Sequence, residues 1–165
     1  MLVIKDAMVV IHLAKITLLE KSCEYFQNVV IPQRVEEEIF IGDHPDALIV
    51  KEMIRTNKLM VKQVHDKQLL RKAYACSIFG GEAEAVALYW QEGADLIATD
   101  DDNVRRRNIV LNLKMFGTPA IIVTLYKTGI ITKDKSLKSI QQLKEIGWFS
   151  TSIIDKLIME VQQHG

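Results

Sequence analysis

Cysteine is scarce in this chain of 165 residues: Cys23 and Cys76 stand far apart, in no CxxC or Cys/His cluster. That excludes a disulfide framework and a thiolate zinc site, and two buried, reduced thiols are expected. A basic excess is missing as well, since 21 Lys and Arg against 21 Asp and Glu give a formal net charge of +0. Strong unspecific attachment to nucleic acid normally shows as such an excess. Acids in a cleft with bases on its rim would still be invisible to a net value. No run approaches the ~18 consecutive apolar residues that span a bilayer, so no membrane partner is expected. The chain enters Leu2-Val3-Ile4 at once, without the basic region and apolar core of a secretory signal. A cytoplasmic protein is therefore expected. Histidine does not cluster either: His12, His44, His65 and His164 are scattered without ligand spacing, and surface or satisfied core roles are expected of them.

Hydrophobic residues make up 48% and charged residues 25%, the balance of a folded globular chain. The length suits one domain with a core and is too short for two. A single domain over 1–165 is expected, with C-terminal helices from about residue 134 packing on it. Leu2 to Lys5 reads as a strand with Asp6 at its carboxyl end, followed by helices over 7–15 and 18–26 and a β-branched strand over 28–31 that Pro32 ends. Helices are expected from Gln33 to Gly42, over 46–57 with Leu48, Ile49, Met53 and Ile54 inward, and over 68–78, with a strand over 58–64 between the last two. Gly80-Gly81 reads as a break before an alanine-rich helix opened by Glu82 and ended by Gly93. Residues 95–99 read as a strand, 102–113 as a helix, 114–116 as a short strand and 118–128 as a helix with Pro119 in its first turn. Two amphipathic helices, 134–146 and 151–163, follow across Gly147-Trp148-Phe149. Strands alternating with helices imply a parallel sheet covered on both faces, in which ligands bind beyond the carboxyl ends of the strands.

Asp6 and the triplet Asp100-Asp101-Asp102 stand at such ends, and Glu38 and Glu84 lie on helices of the neighbouring crossovers. Four oxygen donors without histidine or thiolate form a hard set, suited to Mg²⁺ or Mn²⁺ rather than zinc. Such an ion activates water for attack on a phosphodiester. Each acid also has a structural alternative. Asp6 is equally suited to cap the helix after it, and Glu36-Glu37-Glu38 resembles a solvated helix face. Glu82 is read as serving the helix dipole, an effect of roughly 0.3–1 kcal/mol. Asp102 suits a cap paired with Arg105 or Arg106. Arg105-Arg106-Arg107 either meets phosphate or is a solvated face. Tyr89 and Trp90 read as core rather than as base-stacking platforms. An aspartyl-nucleophile phosphohydrolase is disfavoured, because Asp6-Ala7-Met8 lacks the second aspartate of a DxD pair.

Taken in order, Asp6 after the first strand, Ile31-Pro32 leading to Val35 and Glu38-Ile39, Gly81-Glu82-Ala83-Glu84-Ala85, Thr99-Asp100-Asp101 and the Gly147-Trp148-Phe149-Ser150 turn resemble the PIN-domain family of metal-dependent ribonucleases. The similarity is greatest to its prokaryotic branch of VapC-like toxins with a GEAEA helix. The resemblance implies a three-layer α/β/α sandwich with a central parallel sheet. It also implies one or two Mg²⁺ or Mn²⁺ ions held by Asp6, Glu38, Glu84 and Asp101, with Asp100 as neighbour or substitute and Glu37 as a weaker candidate for the second place. Arg105, Arg106 and Arg107 would help hold RNA. A toxin of this kind would form a homodimer and be inhibited by a small antitoxin. Family members usually carry Ser or Thr soon after the first acid, where this chain has Ala7 and Met8. That departure keeps a second expectation open, a catalytically weak or inactive PIN-like module that binds protein or RNA.

Overall fold

The structure, a computed structural model, describes residues 1–42 and 45–165; the expectation for His44 lies outside the described residues. The first half runs β1 (Leu2–Lys5), α1 (Ala7–Lys15), α2 (Leu19–Phe26), β2 (Asn28–Pro32), α3 (Gln33–Ile41), α4 (Ala47–Arg55), β3 (Met60–Lys62) and α5 (Lys67–Ala75). The second runs α6 (Gly80–Glu92), β4 (Leu96–Ala98), α7 (Asp102–Arg106), β5 (Met115–Phe116), α8 (Thr118–Lys127), α9 (Lys133–Ile146) and α10 (Thr151–His164). The strands form one sheet in the order β3-β2-β1-β4-β5, every neighbouring pair parallel. Helices cover both faces, giving the three-layer α/β/α architecture that the alternation of elements implies.

Side chains on the central strands divide between two cores with period 2. Val3, Val29, Ile31 and Ala98 join the core beneath α1, α2, α8, α9 and α10. Ile4, Val30 and Ile97 join the one beneath α5, α6 and α7. Lys5 continues the Val3 face and is wholly buried; its amine donates to the Ser22 hydroxyl and lies 5.7 Å from the Phe26 ring centroid. Burial pushes its pKa down to about 8, opposed by the nearby Cys23 thiol. Both cysteines are free, Cys23 buried and Cys76 half-buried. Among the described residues no helix is long and apolar enough to cross a membrane.

Three sequence expectations are corrected. Gly80-Gly81 does not break the chain but forms the first two residues of α6. The helix expected over 102–113 stops at Arg106 and gives way to turns, leaving Ile109 and Val110 exposed, with Asn112 at positive φ. In α4 the inward residues are Val50 and Met53, whereas Leu48 and Ile49 face solvent. Met53 and Ile54 do pack on the core as expected, so only the first turn of the helix departs from the expected face.

From β1 the chain steps outward to β2 and β3, then returns to the other side of β1 for β4 and β5. The order of strand addition thus reverses between β1 and β4, and the crevice beyond their carboxyl ends is where a doubly wound sheet exposes a site. Asp6 and Asp100-Asp101 are the residues delivered to it.

Candidate metal centre at the carboxyl edge of the sheet

Asp6 sits at this crevice because its amide still pairs with Ala98 O at 3.0 Å, carrying the β1–β4 ladder one residue further. Its extended backbone then opens α1, and Oδ1 caps that helix by accepting from Val9 N at 3.0 Å. The cap role and a ligand role do not compete, since Oδ2 is buried and makes no hydrogen bond. Burial pushes the Asp6 pKa up to about 8; the Thr99 hydroxyl and the Val9 amide oppose that rise, and the charges of Asp100 and Glu82 add to it.

Asp101 repeats the arrangement one strand over. Its amide donates to Thr99 Oγ1 at 3.1 Å and its Oδ1 accepts from Val104 N at 2.9 Å, capping α7. Asp100 does not share its direction. It is 2% exposed; Oδ1 accepts from Thr118 N at 2.8 Å, and Oδ2 accepts from the Thr118 hydroxyl and from His12 Nδ1 at 2.7 Å. These bonds turn Asp100 toward α1 and α8 and occupy both of its carboxylate oxygens. Its carbonyl also accepts from Trp148 Nε1 at 3.1 Å, and the His12 ring packs against both Trp148 and Phe149. His12, a satisfied core histidine, thereby fixes the turn between α9 and α10 to the end of β4.

Glu38 reaches the crevice from α3. Its Oε1 accepts from Gly81 N at 2.9 Å and lies 3.5 Å from Arg34 Nε. Gly81 is what allows this approach: a Cβ there would stand 2.5 Å from Glu38 Oε2 and 2.9 Å from its Cδ. Glu37 points elsewhere, exposed and 3.4 Å from Gln33 Nε2.

On α6 the two glutamates face different neighbours. The Glu82 pKa is raised by burial and by the charges of Asp101 and Glu38, and Glu82 in turn acts on Asp6. The Glu84 pKa is raised by burial as well, but Arg34 pulls it down while Glu37 and Glu38 push it up. Glu84 therefore belongs with α3, its Oε2 buried without a partner. The acid that senses the three others is Glu82, which the sequence reading assigned to the helix dipole. The signal that could have found it is position: a first-turn glutamate directly after Gly81 stands at the helix end that meets the sheet edge, and Glu84 lies half a turn further in.

Among the described residues no three acidic, histidine or cysteine side chains stand close enough together to hold an ion as they are. Asp6, Asp101 and Glu38 are each held by a separate backbone amide, of Val9, Val104 and Gly81. The donors nevertheless fit Mg²⁺ or Mn²⁺: all are oxygens, and Asp6 Oδ2 is buried without a partner.

The basic residues lie to one side. Arg105 and Arg106 line a groove of about 1140 Å³ with Lys127 and Lys156, over a floor that includes Phe116 and Pro119. Arg105 Nη1 is 4.0 Å from Asp102 Oδ1, and Asp102 starts α7 in solvent rather than joining the crevice. Arg107 is turned back onto Asn103, whose carbonyl and side-chain oxygen it engages. Tyr89 and Trp90 are spent on the fold, accepting from Lys114 N and donating to Leu111 O.

Residues 2–163 match a family model described as a PIN domain. Searches of curated proteins and of solved structures found no match.

Proposed function

The chain belongs to the PIN-domain family, whose members are in general nucleases that use divalent metals and act on RNA, and from that premise we propose that it is a Mg²⁺- or Mn²⁺-dependent endoribonuclease. The observation that carries this reading is the buried, unpartnered Oδ2 of Asp6 at the edge where Asp101 after β4 and Glu38 on α3 also arrive. Glu82 on α6 acts on Asp6 after β1 and is acted on by Asp101 after β4 and Glu38 on α3. Acids gathered from distant parts of a chain destabilise the fold unless a cation offsets them.

Asp6, Glu38, Glu82 and Asp101 are the side chains that would hold the ion, with Glu84 behind Glu38. When bound, Mg²⁺ or Mn²⁺ supplies Lewis acidity and eases proton loss from the attacking water. The chain's own residues do the rest. Val9 and Val104 amides fix one oxygen of Asp6 and of Asp101, so the second oxygen of each is aimed by the helix start rather than free to rotate. Thr99 stands between those acids; from β4 it supplies the hydroxyl that Ala7 and Met8 omit after the first acid. Arg105 and Arg106 grip phosphates along the groove.

Within this reading the protein is a VapC-like toxin that acts as a homodimer in the cytoplasm and is held inactive by a small antitoxin, roles supported by the motif order Asp6, Glu38, Gly81-Glu82-Ala83-Glu84-Ala85 and Asp101. The test is cleavage of RNA with Mn²⁺, lost on chelation and reduced at least ~100-fold in Asp6→Asn and Glu82→Gln, with Glu84→Gln affected less. Folded protein that binds RNA but cleaves none across varied sequences would favour the second reading, an inactive binding module, which Met8 supports.

A further inference from the structure

Two solvent-exposed aromatic side chains border the acidic edge, and neither core uses them. Phe79 precedes α6 and lies three residues before Glu82; it is 61% exposed and stacks on exposed Tyr74 with ring centroids 5.8 Å apart and planes 17° from parallel. Its loop is tied to α7 by the Asn103 side chain, which donates to Ser77 O at 2.8 Å. Trp148 is 48% exposed, yet its indole is held by Asp100 O and touches His12 at 5.8 Å between centroids. Phe79 belongs to the α5–α6 layer and Trp148 to the layer of α1, α9 and α10. The carboxyl ends of β1 and β4, with Asp6 and Asp101, lie between those layers.

An exposed aromatic ring is common, but two rings pre-oriented by their own contacts on either side of a charged crevice form a particular arrangement. Every nucleobase has a π-face, so such rings accept bases with little regard to sequence. Bases within a duplex already stack on one another and cannot be splayed onto side chains, whereas those of a single strand can. The two rings are separated by polar carboxylates instead of forming a continuous apolar patch, which suits a strand whose phosphate lies between two bases better than it suits a protein partner.

We propose that Phe79 and Trp148 are base-stacking platforms that hold an RNA strand across the crevice, one from each helical layer. The inference rests on the ribonuclease reading. It assigns specificity to residues outside the metal centre and requires no base-specific hydrogen bond.

The experiment measures fluorescence anisotropy of a labelled mixed-sequence 12-nucleotide RNA, with Ca²⁺ in place of Mg²⁺ and strand integrity checked on a gel. Phe79→Ala and Trp148→Ala should each weaken binding by about 5- to 150-fold, while Phe79→Tyr and Trp148→Phe should retain most of it. To guard against a variant that fails to fold, wild-type protein is also titrated with a strand of equal phosphate number whose central nucleotides are abasic, and this strand should bind at least about tenfold more weakly. Equal affinity for intact and abasic strands, or unchanged affinity in both folded alanine variants, overturns the platforms and leaves the ribonuclease reading standing; aromatics that serve a protein partner would give that result. Wild-type protein that binds no RNA at all overturns the ribonuclease reading together with the platforms.

Discussion

Substituting Gly81 by alanine should separate the fold from the metal centre. Gly81, unlike Gly80, has no positive φ, so its backbone accepts a side chain without strain. The added Cβ would meet Glu38 Oε2 at 2.5 Å and Cδ at 2.9 Å, a contact that must be relieved. What yields is the far end of a flexible side chain: Glu38 swings toward solvent and abandons the Gly81 amide. Loss of a hydrogen bond to a charged group costs about 1.5–3 kcal/mol. Both groups regain water, and alanine is about 1 kcal/mol better than glycine inside a helix. The net effect on stability is then about 1 kcal/mol, a shift in Tm of roughly 2–4 °C for a chain this size. Mn²⁺ affinity, by contrast, should fall by about 10- to 100-fold, the loss that follows when an aimed metal-site carboxylate is displaced. Gly80→Ala supplies the opposite control. Its φ of +61° strains any side chain by roughly 1–2 kcal/mol, but its Cβ would be 3.4 Å from Glu38 Oε1, an ordinary contact. That variant should lose stability and keep its affinity. Calorimetric Mn²⁺ titration and thermal melting read both quantities; Gly81→Ala with wild-type affinity would refute the placement of Glu38 in the centre.

Further tests address the buried charges. The Asp6 pKa, raised from 3.8 to about 8, means that the folded metal-free protein keeps a proton that the unfolded chain releases. Its stability should therefore fall as pH rises from about 4 to about 8, by on the order of 5 kcal/mol over the whole window, and Mn²⁺ should restore Tm most at the upper end. A metal-free Tm for wild type that tracks Asp6→Asn across pH 5–8 would contradict this. Asp100→Asn should cost about 3–5 kcal/mol of stability, because it uncouples His12 and Thr118, while the folded fraction keeps its Mn²⁺ affinity; Asp101→Asn should show the reverse in melting and titration. Lys5→Met should raise stability at pH 7 by roughly 1–3 kcal/mol, read as a higher Tm. With the folded pKa of Lys5 lowered to about 8, its destabilising effect is present below that pH and lost toward 10.5, so the advantage of Lys5→Met should shrink over that range of a pH series.

Local patterns made most of the fold legible. β-Branched runs marked β1 and β2, Gly93 marked the end of α6 in the left-handed conformation, and the strand–helix alternation gave the parallel sheet. Failures came where tertiary packing overrides local rules. Gly80-Gly81 looks like a breaker in one dimension, but the approaching Glu38 carboxylate needs the missing Cβ. In α4 Met53 is inward as its spacing indicates, but Leu48 and Ile49 are as apolar as Val50, and only the position of the sheet distinguishes them. At the candidate site, Asp6 and Asp101 do stand just past the ends of β1 and β4, where the alternation of elements puts them. What local sequence does not show is which way the Glu82, Glu84, Asp100 and Asp101 side chains leave their helix or strand, a direction set by Arg34, His12 and Thr118 from elsewhere in the chain. His12 carried no spacing signal because its partner lies 88 residues away.

The bond from Trp148 to the Asp100 carbonyl also orders events in time. As the chain emerges from the ribosome, Asp6, Glu38, Glu82 and Asp101 have all been made before the carbonyl of Asp100 can meet its partner 48 residues later. At ~5–20 residues per second that interval is roughly 2–10 s. The anchor that holds the end of β4 is completed only once the α9–α10 turn has been synthesised and has docked. A newborn chain thus possesses every acid of the proposed centre for some seconds before the contact that anchors the end of β4 can form.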